Sequence, residues 1–487
     1  MTSTTPDTPG PLGLQPMPVP TFEFKQFYLG CLAQASYLVG SLGEAAIVDP
    51  RRDVDVYIDE AKARGLAIRY VIETHLHADF VSGHLELAER TGATILISHR
   101  AGASFKHRGV KDGDEVSVGG ITLKFLETPG HTPESVSVLV TDPRTSATPQ
   151  LVLTGDTLFI GDVGRPDLLG SKGITPQEMA GHLYDSLHAK LLPLPDDVLV
   201  YPAHGAGSLC GKNLSKDTFS TMGRQKASNV ALQPMTRDEF IEFLTREAPE
   251  IPQYFPLDVE INRRGAPSLE AGATPAPLDV AEFKKRQDEG AVVLDVRALE
   301  DYARGAVPRS LNIGLGGQFA SWAGTLVDAH RRLLIVAADE SAAAEALTRL
   351  ARVGLEKVDG WLRGGIHAWT LTGLPTVTTA EVTTQELQAV RSGAPEKERT
   401  FQIVDVRRSG EWNAGHIPGA IHAPLHLLED HAAYLDPTLK TYVLCAGGYR
   451  SPMGAEILRE IGITDVAVVK GGMSEWKALG FETSTAS

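Results

Sequence analysis

Short apolar runs, each ended by glycine, proline or a polar residue, recur through the first half of the chain. Residues 27–39 read as two strands around a tight turn, and residues 45–50 hold a further apolar run. Alternation at residues 121–125 and continuous apolar runs at 151–155 and 198–203 predict three more strands. This spacing predicts a layered, sheet-containing domain.

The apolar run at residues 70–72 leads into residues 74–80, whose sequence is THLHADF. Residues 82–90, closed by Gly92, have the pattern of a helix with a glycine at its end. Two histidines and an aspartate this close in sequence converge on one ion only from an irregular turn, which the order strand, turn and helix supplies. We therefore interpret residues 74–80 as part of a metal site.

Three other strand ends carry residues of the same kind. His131 follows a Thr-Pro-Gly turn after residues 121–125, Asp156 follows residues 151–155, and His204 follows residues 198–203. Any one of them alone could be an unrelated polar residue in a turn. Together they favour metal ligands collected along one edge of a layered sheet.

The second half of the chain contains an internal repeat. The sequence LDVR at residues 294–297 recurs as VDVR at 404–407, and a GGI segment with Trp369 recurs as a GGM segment with Trp476. Stretches rich in proline and glycine precede the first copy, at residues 263–267 and 272–277, and mark a linker. Two copies of one α/β module are predicted.

Only the second copy carries a thiol after its central strand. Cys445 opens the sequence CAGGYRS, which runs from the buried strand at residues 442–444 into a helix. Small residues let backbone N–H groups point inward, and the helix N-terminus adds positive potential, so the loop favours a thiolate or persulfide anion. Arg450 suits a sulfur-oxyanion substrate. Predicted substrate contacts come from Gly447, Gly448 and Tyr449. The alternative is a small buried hydrophobic cysteine.

The matching segment of the first copy has Ala337 in the place of Cys445. Its loop is shorter, and Asp339 and Glu340 would repel an anion. The first copy therefore cannot carry sulfur by this chemistry. We interpret it as a structural spacer or a docking surface.

Composition limits the other classes of function. The chain has 487 residues, 42% of them hydrophobic, and a formal net charge of -15, which argues against binding to nucleic acid or to an anionic membrane. No run approaches the about 18 apolar residues of a membrane span, and the first twenty residues lack the features of a signal peptide. We expect a cytoplasmic protein. Cys31, Cys210 and Cys445 are too few for a disulfide framework; Cys31 and Cys210 read best as buried thiols, although Cys210 could approach the metal pocket.

Residues 74–80 resemble the first motif, T-H-x-H-x-D-H, of the metallo-β-lactamase superfold, in its glyoxalase II and persulfide dioxygenase branch. Phe80 stands where the last histidine serves a second metal. That change argues for a single ion, since a phenyl ring cannot coordinate a metal. The resemblance implies one Fe(II) per chain with dioxygen as co-substrate. The implied ligands are His75, His131 and Asp156, oriented by His77, Asp79 and His204, with Arg165 near the thiol substrate.

The repeated modules resemble rhodanese domains. The expected architecture is a metallo-β-lactamase αββα sandwich followed by two rhodanese-like doubly wound parallel-sheet domains. The expected bounds are a disordered tail at 1–21, the metal domain at 22–264, an inactive rhodanese-like domain at 275–378 and an active one at 381–485.

Together these resemblances imply a fusion that oxidises a small-molecule persulfide to sulfite and thiol. Cys445 would transfer sulfur, forming thiosulfate when the acceptor is sulfite. A homodimer or homotetramer is usual for such fusions. Two alternatives stay open: a glyoxalase II-like thioester hydrolase with two zinc ions, and a sulfur-relay adaptor.

Overall fold

The structure, a computed structural model, describes residues 20–168, 173–212, 214–246, 250–269, 274–393 and 400–485. Its contacts divide the chain into two compact units. The first comprises the described residues of Met1–Leu76, Gly83–Glu250 and Arg263–Gly265. The second comprises those of His77–Ser82, Ile251–Asn262 and Ala266–Ser487.

Two six-stranded sheets form the centre of the first unit, with strand orders β1-β2-β3-β4-β5-β6 and β12-β11-β10-β9-β8-β7. In the first sheet, the four neighbouring strands β3, β4, β5 and β6 are parallel to one another, and in the second sheet β10 is parallel to β11. All other neighbouring strands are antiparallel. The strands are β1 Glu23–Leu29, β2 Gln34–Ser41, β3 Glu44–Val48, β4 Ala67–Ile72, β5 Thr94–Ser98, β6 Arg108–Val110, β7 Glu115–Val118, β8 Ile121–Glu127, β9 Val136–Thr141, β10 Leu151–Gly155, β11 Leu199–Pro202 and β12 Ser220–Thr221.

Helices cover the outer faces of both sheets. Between the sheets, Tyr37 of β2 and Phe125 of β8 belong to one buried apolar core. Tyr57 packs in a second core on the outer face of the first sheet, and Phe240 in a third on that of the second sheet. The predicted αββα sandwich is confirmed. The helices of this unit are α1 Asp55–Ala63, α2 His84–Thr91, α3 Pro176–Ser186, α4 Met222–Ser228 and α5 Arg237–Thr245.

Two five-stranded, fully parallel sheets follow in the second unit. Their orders, β13-β17-β16-β14-β15 and β18-β22-β21-β19-β20, are the same arrangement used twice, which confirms the internal repeat. The strands are β13 Pro277–Leu278, β14 Val292–Asp295, β15 Ser310–Asn312, β16 Leu333–Val336, β17 Val358–Leu362, β18 Ala380–Val382, β19 Phe401–Asp405, β20 Ile421–His422, β21 Lys440–Leu444 and β22 Val466–Val469.

Helices α6 to α15 belong to the second unit for most or all of their length. The repeated VR sequence has a structural role in both copies, because Arg297 and Arg407 each pair with the buried aspartate two residues earlier. Each guanidinium also donates to the carbonyl oxygen of a glycine, Gly305 or Gly415. The helices are α6 Phe255–Arg264, α7 Val280–Asp288, α8 Leu299–Arg304, α9 Phe319–Leu326, α10 Glu340–Ala351, α11 Gly365–Leu371, α12 Thr384–Ser392, α13 Ser409–Asn413, α14 Ser451–Glu460 and α15 Gly472–Ala478.

The predicted helix at residues 82–90 forms, although it begins two residues later, at His84. Gly92 ends it in the left-handed conformation, with a φ of 73°. The tail predicted at 1–21 lies almost wholly outside the described residues, as does part of the linker at 270–273. In the part of the chain that the structure describes, no helix is long and apolar enough to cross a membrane.

Candidate functional site

The ends of β4, β8 and β10 bring three of the predicted ligands together. Nε2 of His131 lies 3.3 Å from Oδ2 of Asp156, and Nε2 of His75 lies 3.8 Å from the same oxygen. All three ligand atoms lie within 4.8 Å of one another, and all three side chains are buried. This spacing suits donors that share one ion.

The other ring nitrogen of each histidine is held by a hydrogen bond. Nδ1 of His131 lies 2.9 Å from the carbonyl oxygen of Arg165, so it is the protonated nitrogen. Nδ1 of His75 lies 3.0 Å from Oγ1 of Thr74, whose own hydroxyl donates to Asp49 at 2.9 Å. Because that proton is used, Thr74 Oγ1 accepts from His75. In their neutral form both rings therefore present an unprotonated Nε2 toward Asp156, which is the tautomer that a metal ligand requires.

Two glycines permit the close packing behind these ligands. Gly155 has a φ of +53°, and an added methyl group there would lie 2.6 Å from Oγ1 of Thr74. A methyl group on Gly164 would lie only 1.9 Å from the carbonyl oxygen of Asp156. A larger residue at either position would displace the ligand turns.

Asp156 has a second set of potential ligands on its other oxygen. Nε2 of His204 lies 3.6 Å from Oδ1 of Asp156, and Sγ of Cys210 belongs to the same group of atoms within 4.8 Å. Cys210 is buried, as predicted, and it also approaches the predicted metal pocket. The prediction of a buried thiol was wrong for Cys31, which is only half-buried, in the turn between β1 and β2. These residues could hold a metal ion as well, with Asp156 shared between the two sets.

A separate chemical site lies at the end of β21. Sγ of Cys445 is buried and accepts a hydrogen bond of 3.1 Å from the backbone N–H of Gly448. Oγ of Ser451 lies 3.6 Å from the sulfur, at the first residue of α14. One backbone N–H, that of Gly448, and the first residue of α14 therefore lie beside the sulfur, an environment suited to a sulfur anion. Contacts of Gly447 and Tyr449 with a substrate stay a prediction.

Arg450 forms two hydrogen bonds to Glu411, of 2.6 and 2.7 Å. Burial is the largest single influence on the pKa of the Glu411 carboxyl and raises it. The hydrogen bonds and charge of Arg450, the N–H of Arg408 and the charge of Arg407 together outweigh burial and leave that pKa below its ordinary value. The pair is therefore ionised at neutral pH. An anionic substrate must share Arg450 with Glu411.

The first module lacks this site for a visible reason. Ala337 follows β16 where Cys445 follows β21, and its loop before the helix is shorter, as predicted. Oδ1 of Asp339 accepts from the N–H of Ala342 at 2.9 Å and caps α10. A carboxylate therefore occupies the helix end that a sulfur anion would use.

Comparisons with known proteins match both kinds of domain. The metallo-beta-lactamase superfamily matches residues 29–204, and the rhodanese-like domain matches residues 279–372 and 386–479. "Persulfide dioxygenase ETHE1, mitochondrial" of Bos taurus is 30% identical over 237 residues, which cover 47% of this chain and 83% of that protein. The protein of that name from Homo sapiens matches to the same extent. The chain belongs to the persulfide dioxygenase family.

Two further comparisons extend the picture of this persulfide dioxygenase family member. A crystal structure of a metallo-beta-lactamase from Staphylococcus aureus is 34% identical, covers 70% of this chain and 98% of that one, and has a TM-score of 0.63. A hydroxyacylglutathione hydrolase of Polaromonas sp. is 33% identical over 174 residues, which cover 35% of this chain and 61% of that protein. Two rhodanese-like domains follow the metallo-beta-lactamase domain, as the sequence predicted.

Arg165, which resemblance to the persulfide dioxygenases places near the substrate, is almost fully buried. Its guanidinium pairs with Asp167 through bonds of 2.7 and 2.6 Å and also donates to the carbonyl oxygen of Leu209. Its backbone carbonyl is the group that holds His131. The substrate contact stays a prediction, and the visible role of Arg165 is to order the loop beside the ligand.

His77, Asp79 and Phe80 lie in the turn that follows His75 in sequence. The rings of His77 and Phe80 are in contact, with centroids 4.3 Å apart. Asn262 of α6 donates from Nδ2 to the carbonyl oxygens of His77 and Phe80, each at 2.8 Å, and its Oδ1 accepts from Ser82. This amide fixes the backbone of the turn.

Sequence reasoning missed three residues that support these family sites. Asp49 follows β3 with a φ of 51° and accepts hydrogen bonds from both the N–H and the hydroxyl of Thr74. Like Asp156, it is a polar residue directly after an apolar strand, so the same sequence signal could have identified it. Asn262 and Asp258 lie on α6, where no motif marked them. Burial raises the pKa of Asp258 well above its ordinary value, and Asp79 raises it further.

Proposed function

We propose that the chain is an Fe(II)-dependent persulfide dioxygenase joined to a Cys445 sulfurtransferase. The observation that supports the first activity is the set of His75, His131 and Asp156, in which both imidazoles are held in the tautomer that a metal needs. Two histidines and one carboxylate are the ligands of non-heme iron oxygenases, and they leave positions open for other ligands.

The proposed overall reaction converts one persulfide, one dioxygen and one water into one thiol and one sulfite, with two protons released. Bound iron would supply a site at which the terminal sulfur and dioxygen meet. The protein holds the imidazole protons at Nδ1 through Thr74 and the Arg165 carbonyl, and it keeps the ligands away from solvent. Glutathione persulfide is one candidate among low-molecular-weight thiol persulfides.

In the second activity, the Cys445 thiolate attacks the terminal sulfur of a persulfide, and the thiol leaves with the proton. The cysteine now carries a persulfide anion, which the N–H of Gly448 and the end of α14 stabilise. Sulfite then attacks the outer sulfur, forming thiosulfate and restoring the thiolate. The second domain would thus consume the product of the first.

Metal content and dioxygen uptake test the first activity. His75→Ala, His131→Ala and Asp156→Ala should each lose bound iron and dioxygen uptake, because a three-residue site has no spare donor. His188→Ala, which removes an exposed histidine of the same unit, is the matched control and should keep both. Full iron content in all three ligand variants would refute the assignment.

A two-zinc thioester hydrolase is the second candidate. The favouring observation is that His204 and Cys210 form a second possible ligand set on Asp156. Two bound zinc ions per chain, hydrolysis of S-lactoylglutathione and no dioxygen uptake would select this function over the dioxygenase.

Product analysis tests the coupling between domains. With one persulfide substrate, Cys445→Ser should keep dioxygen uptake but release sulfite where the natural protein releases thiosulfate. Ala337→Ser, at the matching position of the first module, should leave the sulfite to thiosulfate ratio unchanged. Unaltered thiosulfate output from Cys445→Ser would show that transfer does not use this thiol.

The cytoplasmic location and the homodimer or homotetramer stay predictions.

A further inference from the structure

We propose that a cavity built from both rhodanese-like modules binds a small organic cation with two or more ammonium groups, an alkyl diamine or polyamine. The cavity has a volume of about 530 Å³, which lies within the about 300–1,000 Å³ of small-molecule sites. Its walls come from the ends of α7 and α9, the segment after β20 and the second half of α14. The proposal is independent of the proposed dioxygenase and sulfurtransferase activities.

Two nearly buried side chains in the wall offer hydrogen-bond acceptors. Gln287 is 6% exposed, and its Nε2 donates to the carbonyl oxygen of Pro308 at 2.7 Å, which leaves its Oε1 to accept. Glu456 is 5% exposed, and its Oε2 accepts from Tyr302 at 3.4 Å and from Arg459 at 3.1 Å. Among the residues that the structure describes, none donates to Oε1 of either side chain. A buried acceptor without a donor costs free energy, so the cavity favours a ligand that donates.

Carboxylates dominate the charge around the cavity. Glu429, Asp430 and Glu460 all line it, and none of the three forms an ion pair within the described part of the chain. Burial raises the pKa of Glu460, and the charges of Glu456 and Glu429 raise it further. Glu460 also ends α14, where the helix dipole adds negative potential. The cavity therefore favours a cation.

Two arginines also line the cavity, but both are engaged with the protein. Nη2 of Arg309 lies 3.4 Å from Oδ1 of Asp288, and Nη2 of Arg331 donates to the carbonyl oxygen of Gly290 at 2.7 Å. Their charges lower the pKa of Glu460, yet that pKa stays above its ordinary value. The two guanidinium groups therefore do not neutralise the carboxylates.

An alkyl diamine matches these walls. An ammonium group carries three donors and no acceptor, so it can bind Oε1 of Gln287 and of Glu456 without leaving a group of its own unsatisfied. Leu311, Val327 and Ile457 also line the cavity and can pack against methylene groups. Within the described residues, no three carboxylates of the cavity bring ligand atoms within 4.8 Å of one another, so a bare metal ion fits less well.

Titration calorimetry of the full chain with 1,4-diaminobutane and with butylamine tests the ligand class. The two amines share a four-carbon chain and differ by one ammonium group. The diamine should bind at one saturable site per chain, about tenfold or more tightly than butylamine, because the second ammonium group adds charge-assisted hydrogen bonds. The diamine should also raise Tm, since it binds only the folded protein.

Charge-removing variants test the location. Glu456→Gln should weaken diamine binding about tenfold or more. Because Glu456 also bonds to Tyr302 and Arg459, Glu460→Gln is the second variant, and it decides the matter if Glu456→Gln fails to fold. Glu340→Gln is the matched control: it removes an exposed carboxylate of α10 that does not line the cavity, and it should leave diamine affinity unchanged.

Three results would each overturn the proposal. The first is the absence of saturable diamine binding, and the second is equal affinity for 1,4-diaminobutane and butylamine. The third is an equal loss of affinity in Glu340→Gln and Glu460→Gln, which would mean that the amine is attracted only by the net charge of -15.

Discussion

The Thr74 hydroxyl should control how tightly His75 binds a metal. It accepts from Nδ1 of His75 at 3.0 Å while donating to the Asp49 carboxylate at 2.9 Å. Thr74→Val keeps the shape of the side chain and removes both hydrogen bonds. The imidazole then loses the group that fixes its tautomer, and part of its neutral population can carry the proton on Nε2 instead of Nδ1.

The size of the effect follows from the two lost bonds. A neutral hydrogen bond contributes about 1 kcal/mol and one to a carboxylate about 1.5–3 kcal/mol. The affinity for the metal changes only by the difference between the hydrogen-bond free energy of the metal-bound His75 ring and that of the metal-free ring. Loss of such supporting bonds typically weakens metal binding about 10- to 100-fold, which corresponds to about 1.4–2.8 kcal/mol.

Anaerobic competition with a chelator of known Fe(II) affinity measures this change. Thr128→Val is a suitable control, because it removes a buried hydroxyl that bonds to Ser137 and Thr157. The control reports the cost of losing a buried hydroxyl in the same unit. Equal iron affinity in Thr74→Val and the natural protein, with both folded, would refute the account of how His75 is oriented.

Three further predictions concern other parts of the chain. Phe80→His should raise the metal content toward two ions per chain without increasing dioxygen uptake; a content still near one by metal analysis would contradict this. Burial raises the pKa of Asp258, so the folded protein holds a proton that the unfolded chain releases near pH 4. Stability then falls as pH rises toward the folded pKa, and Asp258→Asn should gain in Tm over the natural protein from pH 4 to 8; a constant Tm difference would argue against it. Gly472→Ala places a methyl group 2.3 Å from the Cys445 carbonyl oxygen and should abolish thiosulfate formation. The control Gly480→Ala, also at positive φ but in open space, should lower the free energy of unfolding in denaturant by only about 1–2 kcal/mol. Equal thiosulfate formation by the two variants would contradict the close packing of Gly472 against the Cys445 loop.

The sequence was sufficient to predict those candidate site residues that lie directly after a strand. His75, His131 and Asp156 each lie just past an apolar run, and parallel or mixed sheets bring such ends together. The thiol-bearing loop was equally visible, because Cys445 and its glycines lie within a few residues of one another.

The sequence did not indicate the residues far along the chain that hold the candidate sites in place. Asn262 bonds to residues some 180 positions earlier, and nothing local in α6 indicates it. Trp322 carried no signal in the sequence, because the arginines that contact its ring, Arg408 and Arg450, belong to the other module. The tautomers of His75 and His131 depend on an oxygen position that no pattern of hydrophobicity specifies.

The turn at residues 77–82 has a consequence for the order of folding during synthesis. Besides its bonds to Asn262, its Val81 N–H donates to the carbonyl oxygen of Arg352, in the first rhodanese-like module, at 2.7 Å. At about 5–20 residues per second, a ribosome needs tens of seconds to add the intervening chain. The turn at residues 77–82, which begins two residues after His75, therefore cannot form its hydrogen bonds to Asn262 and Arg352 until the first rhodanese-like module has left the ribosome. Nascent chains released before that point would carry this turn unfinished, which makes them natural clients of chaperones.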